Sequence, residues 1–270
     1  MSTSRRLVHI DALRGLAVLL MVLVHAAATW EPTSSGGFLL LGVVVSGAGG
    51  LAAPLFVTLL GWGLYQRSLT LRQRVHRAGW LFFFQFVINL SAPHLFEPWT
   101  PGVLSLMGLL VFIEPVWRSL FQTSKSARRS FVTIVLFTFF LSVLLTPYQG
   151  PSAWESRIDT PNIVWFVKHL TMTGLYPLFP WIVFGFLGAF IASQDNENRH
   201  KALLSVFSIG LIVSLAVLAI STSRGEVWAL PTGDAALTFF PANTPFLVAA
   251  LTGVSLLWWV AERASIVHGL

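Results

Sequence analysis

An arginine and a histidine, Arg14 and His25, stand eleven positions apart in the apolar stretch Asp11-Ala-Leu-Arg14-Gly15-Leu-Ala-Val-Leu-Leu-Met-Val-Leu-Val-His25. On a helix, eleven steps of about 100° come to about 20° beyond three whole turns, with a rise of about 16 Å. The two side chains therefore share a face. An ionisable group near the centre of a membrane helix costs about 2.5 to 3.5 kcal/mol on insertion scales, so two on one face call for common polar surroundings. The neutral imidazole of His25 can take a proton from an amine or hydroxyl near pH 7. The planar guanidinium of Arg14 presents a fork of donors to phosphate oxygens.

Each residue also has a plainer reading. His25 could be hydrogen-bonded to a neighbouring helix, and Arg14 could snorkel to lipid phosphates from the inner end of the span. Taken together, their offset suits a long ligand with phosphate at one end and a reactive group at the other. Acyl-coenzyme A has that shape, with a pantetheine arm between its phosphates and its thioester. Asp11 is placed either to cap the helix or to pair with Arg14 at i,i+3 and support it.

The elements that position these residues follow from composition. Hydrophobic residues make up 55% of the 270-residue chain and charged residues only 10%, and the mean hydropathy is strongly positive. This implies an all-α, polytopic transmembrane helical bundle, a single integral membrane domain over residues 1–270. A span needs roughly 20 mainly apolar residues. Eight stretches meet or approach that length: 11–29, 50–66, 78–92, 102–121, 130–147, 174–193, 203–222 and 245–262. Two shorter apolar pieces, 37–48 and 162–173, are re-entrant, interfacial or additional spans, giving a range of 8 to 10. The first stretch carries Asp11 and Arg14 and lacks a cleavage site after His25, so it reads as a retained span rather than a signal peptide.

With the amino terminus inside, thirteen Lys and Arg residues fall in inner segments and only Arg157, Lys168 and Arg224 in outer ones, Arg14 being counted to neither. That asymmetry places both termini in the cytoplasm, in the plasma membrane if the protein is prokaryotic. It also accounts for the formal charge of +6, and with no aromatic-basic pattern outside the spans no nucleic-acid partner is expected. The absence of cysteine excludes disulfides and thiolate metal sites. No two histidines share ligand spacing on one span, so no metal is expected. Outer segments hold His94, Glu97, Asp159, His169 and Asp234; of these His94, His169 and Asp234 are the acceptor-side candidates, each with a solvated-loop alternative. Glu114, beside Pro115 and Arg118, reads as half of a buried or inner-face pair.

The segment Ile10-Asp11-Ala12-Leu13-Arg14-Gly15-Leu16-Ala17 through His25 resembles the first span of the transmembrane acyltransferase superfamily, in which an Arg and a His at this separation are characteristic. Two groups are relevant, the membrane acyltransferases that modify surface glycans and the heparan-alpha-glucosaminide N-acetyltransferase group. Further segments resemble the second: Ala53-Pro54-Leu55-Phe56-Val57-Thr58-Leu59-Leu60-Gly61, Pro101-Gly102-Val103-Leu104-Ser105-Leu106-Met107-Gly108, and Tyr176-Pro177-Leu178-Phe179-Pro180-Trp181 with Gly185 and Gly188. They occur in the expected order over about residues 5–190. The heparan-type enzymes place a histidine in the outer loop after the first span, whereas residues 30–49 contain none, so that assignment does not carry over and His25 is the candidate at the matching spacing.

The resemblance implies a membrane acyltransferase that moves an acyl group, most simply acetyl, from cytoplasmic acyl-coenzyme A to an amine or hydroxyl of a sugar, glycan or other cell-envelope acceptor. Acetyl-coenzyme A would be a co-substrate, with no tightly bound cofactor. Arg14 would hold a phosphate, and His25 would act as general base or transient acyl carrier. The alternative class is a proton-coupled or anion transporter using Arg14 and His25 as an intramembrane polar pair. Its expected marks, paired broken helices in matching halves, are not evident in the sequence. Self-association as a homodimer is left open.

Overall fold

The computed structural model describes residues 7–30, 42, 45, 47–121 and 124–267. Eleven helices are described here in chain order: α1 Val8–Trp30, α2 Ala52–Gln66, α3 Leu71–Ser91, α4 Val103–Phe112, α5 Glu114–Arg118, α6 Ser124–Leu144, α7 Glu155–Ile158, α8 Ile163–Lys168, α9 Leu178–Ser193, α10 Asn196–Ser223 and α11 Thr244–Val267. Among the described residues, strands are confined to Ala229–Thr232 (β1) and Leu237–Phe240 (β2), a parallel pair in register Ala229↔Leu237. The all-α architecture expected from the sequence is the one observed.

All eight apolar stretches overlap helices, with the 174–193 stretch helical only from Leu178. Five helices are long and apolar enough to cross a membrane, and up to seven segments qualify if each of two bent pairs is one span. The shortfall from eight is α3, whose first two turns carry Arg72, Arg74 and Arg77 and so lower its hydropathy. Residues 162–173 form α8 and a π-turn, His169–Thr173, and join α9 through a 52° bend as one of those pairs. Of the 37–48 piece, most residues lie outside the described ones, as does the segment from Glu31 to Leu41.

Burial follows helical periodicity. On α1 the buried positions are Ile10, Leu13, Ala17 and Leu20, spaced three and four apart, while Val18, Leu19, Val22 and Leu23 are exposed. An apolar residue on an outward face is an error in water and the rule in lipid, where helices need not hide their side chains but must satisfy their backbones internally. α9 is central, being buried almost continuously from Pro180 to Ile191, and α2 and α6 pack on it. Phe131 of α6 stacks on Phe190 at 4.5 Å between ring centroids.

Contacts fix which helix ends share a face. Arg199 at the start of α10 bonds Glu262 near the end of α11, and Glu262 acts electrostatically on His9 at the start of α1. Arg118 of α5 bonds the Tyr65 carbonyl at the end of α2, and Arg74 at the start of α3 bonds the Phe112 carbonyl at the end of α4. This common face is called inner below and the opposite one outer.

Local chemistry sets the ends. Thr70 and Gln73 form a reciprocal capping box at α3, and Asp195 caps α10 by accepting from the Asn198 N–H at 2.9 Å. Pro115, which has no N–H to give to Val111, separates α4 from α5, and the axis turns by 69° there. Buried Trp117 donates its indole N–H to the Leu110 carbonyl at 3.1 Å across the bend.

Candidate active site

Arg14 and His25 both lie on α1, outside its buried stripe and on the same flank of it, about 60° and 80° round from Ala17. Both are exposed, the Arg14 side chain by 58%. Arg14 donates Nη1–H to Asp11 Oδ1 at 3.2 Å. The helix begins at Val8, so Asp11 sits within the first turn rather than at the cap, and its observed contact is the i,i+3 pair. His25 Nδ1 lies 2.8 Å from the Met21 carbonyl oxygen. A carbonyl can only accept, so Nδ1 carries the hydrogen and the basic lone pair is on Nε2.

The outer candidates sit on different segments. His94 is exposed in the turn after α3, and Asp234 is exposed between the strands. His169 is buried, with Nε2 2.8 Å from the Asp159 carbonyl and Nδ1 2.8 Å from Thr173 Oγ1. The carbonyl again dictates the tautomer: Nε2 donates and Nδ1 accepts the threonine hydroxyl. Both ring nitrogens are thus engaged, Nδ1 within the π-turn and Nε2 in holding that turn to the loop before α8.

Sequence reasoning did not single out Arg157, which is 1% exposed at the centre of this outer network. Its Nη1 donates to the carbonyls of Thr173 and Gly174, and its Nη2 to those of Gln149, Gly150 and Pro151. The charge is met by backbone dipoles at the end of the π-turn and in the loop after α6. Burial lowers its pKa to about 10, so it remains a cation at neutral pH. Glu97 accepts the Thr160 N–H at 3.2 Å, and Asn89 donates to the carbonyls of Pro98 and Thr100. The outer segments are thereby fastened to α3.

At the inner face, Glu114 is 2% exposed and pairs with Arg118 at 3.5 Å, as its sequence neighbours suggested. Among the described residues, no three His, Cys, Asp or Glu side chains gather in a way that could hold a metal ion.

A bundle of apolar helices, interrupted at two bends and carrying an exposed arginine and histidine on one flank of its first helix, is that of an integral membrane protein. Residues 6–222 match the family described as heparan-alpha-glucosaminide N-acetyltransferase, catalytic, and the chain belongs to that family. It is therefore a member of a membrane acetyltransferase family. Comparison with curated proteins gives no match, and comparison with solved structures gives none.

Proposed function

We propose that the protein transfers an acyl group, most simply acetyl, from cytoplasmic acyl-coenzyme A to an amine or hydroxyl of a glycan or other cell-envelope acceptor. Family membership supports the reaction class. The observation that carries the residue assignment is the His25 tautomer: the Nδ1–H bond to Met21 puts the basic lone pair on Nε2. Arg14, steadied by Asp11 about 16 Å nearer the inner face, is the phosphate clamp. The separation matches an extended pantetheine arm lying along α1 with the thioester at His25.

In the transfer step the acceptor nitrogen or oxygen attacks the thioester carbonyl while Nε2 takes its proton. The carbon–sulfur bond then breaks, and the proton passes to the departing thiolate to give free coenzyme A. Purified protein in lipid nanodiscs, given acetyl-coenzyme A and a panel of amino sugars, sugars and amines, should release free coenzyme A only when a competent acceptor is present. Folded protein that binds no acyl-coenzyme A would overturn the proposal and favour a transporter.

A further inference from the structure

The bend between α4 and α5 opens a cavity of about 490 Å³ at the inner face. Tyr65, Ser68 and Leu69, from the end of α2 and the turn after it, form one wall, and Glu114, Arg118 and Ser119 the other. Arg118 is held in place by its neighbours. Its Nε and Nη2 donate to the Tyr65 carbonyl at 3.3 and 3.2 Å, its Nε lies 3.5 Å from Glu114, and its guanidinium stands over the Tyr65 ring. Nη1 makes none of these bonds. Arg74 reaches the same bend from α3, donating Nη1–H to Phe112 at 3.3 Å. Its buried Nε has no hydrogen-bond partner among the described residues.

The charged residues of the lining, Glu114 and Arg118, balance, and Arg74, behind the lining, is the second guanidinium acting on Glu114, so the bend as a whole carries one more positive than negative charge. A fixed arginine beside the exposed Ser68 hydroxyl and a tyrosine ring suits a phosphate attached to a bulky body; the Ser119 hydroxyl donates to the Val116 carbonyl. The volume falls within the range of about 300 to 1,000 Å³ common for small-molecule sites. Phosphate can come from a lipid headgroup or from a soluble ligand. The apolar lining is only Leu69, Pro115 and the Tyr65 ring, too little to form a channel for an acyl chain. The soluble source fits better.

We propose that this cavity seats the adenosine 3′-phosphate end of the acyl donor. The proposal rests on the acyl-coenzyme A reading above and leaves Arg14 to the diphosphate at the root of the pantetheine arm. It is tested by measuring Kd for coenzyme A and 3′-dephospho-coenzyme A on full-length protein in phosphatidylcholine nanodiscs. Wild type should bind coenzyme A about tenfold more tightly than the dephospho form, the scale of a charge-assisted contact. Arg118→Gln and Ser68→Trp should each abolish that preference. Ser68 is exposed and outside the core, so Ser68→Trp decides alone if Arg118→Gln does not fold. Wild-type preference retained in Ser68→Trp overturns the cavity assignment while leaving the donor reading intact. Wild type that binds neither compound fails at the donor reading itself. Added phosphatidylglycerol that associates with wild type but not with the variants, with coenzyme A binding unchanged throughout, makes the cavity a lipid site and overturns the proposal.

Discussion

The backbones of α2 and α9 meet so closely that a Cβ on Gly61 would stand 2.1 Å from the carbonyl oxygen of Gly185. A second such contact, Gly188 against the Thr58 carbonyl at 1.9 Å, lies one turn away. Without a hydrophobic drive between helices in lipid, close backbone approach of this kind is what holds a bundle together. Gly63, also on α2, has nothing within 4 Å of its missing Cβ.

Gly61→Ala and Gly188→Ala should therefore each destabilise the protein by about 2 kcal/mol or more, because the obstructing atoms are backbone and cannot swing aside. Gly63→Ala should be neutral or slightly stabilising, since alanine is the better helix former by about 1 kcal/mol. Thermal unfolding in detergent compares the three. Equal melting temperatures would contradict the helix contact.

Arg157 supports a prediction about the outer segments. Replacing it with leucine removes hydrogen bonds from two guanidinium nitrogens to five carbonyls and leaves buried carbonyls without partners, at about 1 to 3 kcal/mol for each group left unsatisfied. Arg157→Leu should loosen residues 149–174 and lower stability by about 3 kcal/mol or more. Hydrogen exchange across Gln149–Gly174 reads this directly, and protection equal to wild type would show that the arginine is dispensable.

The helices were legible because lipid imposes one dominant rule, an apolar run of sufficient length, and all eight runs overlap helices. The Glu114–Arg118 pair was legible because an i,i+4 spacing carries its own geometry. Arg157 was not. Its partners are main-chain carbonyls, which any residue can supply, so no pattern in Gln149-Gly150-Pro151 or Thr173-Gly174 announces them. The cavity at the α4–α5 bend was equally hidden, since it joins Tyr65 to Arg118 across 53 positions of sequence. Pro115 marked the break but not what the break encloses.

Two of the ion pairs on the inner face are of opposite character. Glu262 is buried and meets both Arg199 and, at 3.5 Å, His200, whereas Lys201 and Glu197 pair in the open at 70% and 81% exposure. Arg199→Met strands a buried carboxylate and should cost about 3 kcal/mol. Lys201→Met should change stability by less than about 0.5 kcal/mol. Chemical unfolding of the two variants side by side checks the contrast.

Both chain ends should lie on the cytoplasmic side. The start of α1 and the end of α11 share a face through His9 and Glu262, and the sequence assigns thirteen of the Lys and Arg residues to inner segments. Reporter fusions at residues 1 and 270 should give the same cytoplasmic signal. Opposite signals would require an odd number of crossings and would assign one to the 37–48 segment.

The roles of Arg14 and His25 separate by which kinetic quantity each substitution moves. Both side chains are exposed and off the packed stripe of α1, so neither alanine variant should change stability by more than about 0.5 kcal/mol. If Arg14 grips phosphate, Arg14→Ala should weaken acyl-coenzyme A binding by about 1.5 to 3 kcal/mol, and Arg14→Lys should recover only part of it because the fork is lost. His25→Ala should leave that binding within a few fold and lower turnover by about 10² to 10⁴. Direct binding and coenzyme A release, measured on the same preparations with a competent acceptor, give the two quantities separately. Full turnover in His25→Ala would remove it from the chemistry. The general base would then have to be sought on the outer side, where exposed His94 has a ring to offer and His169 has both nitrogens committed to Asp159 and Thr173.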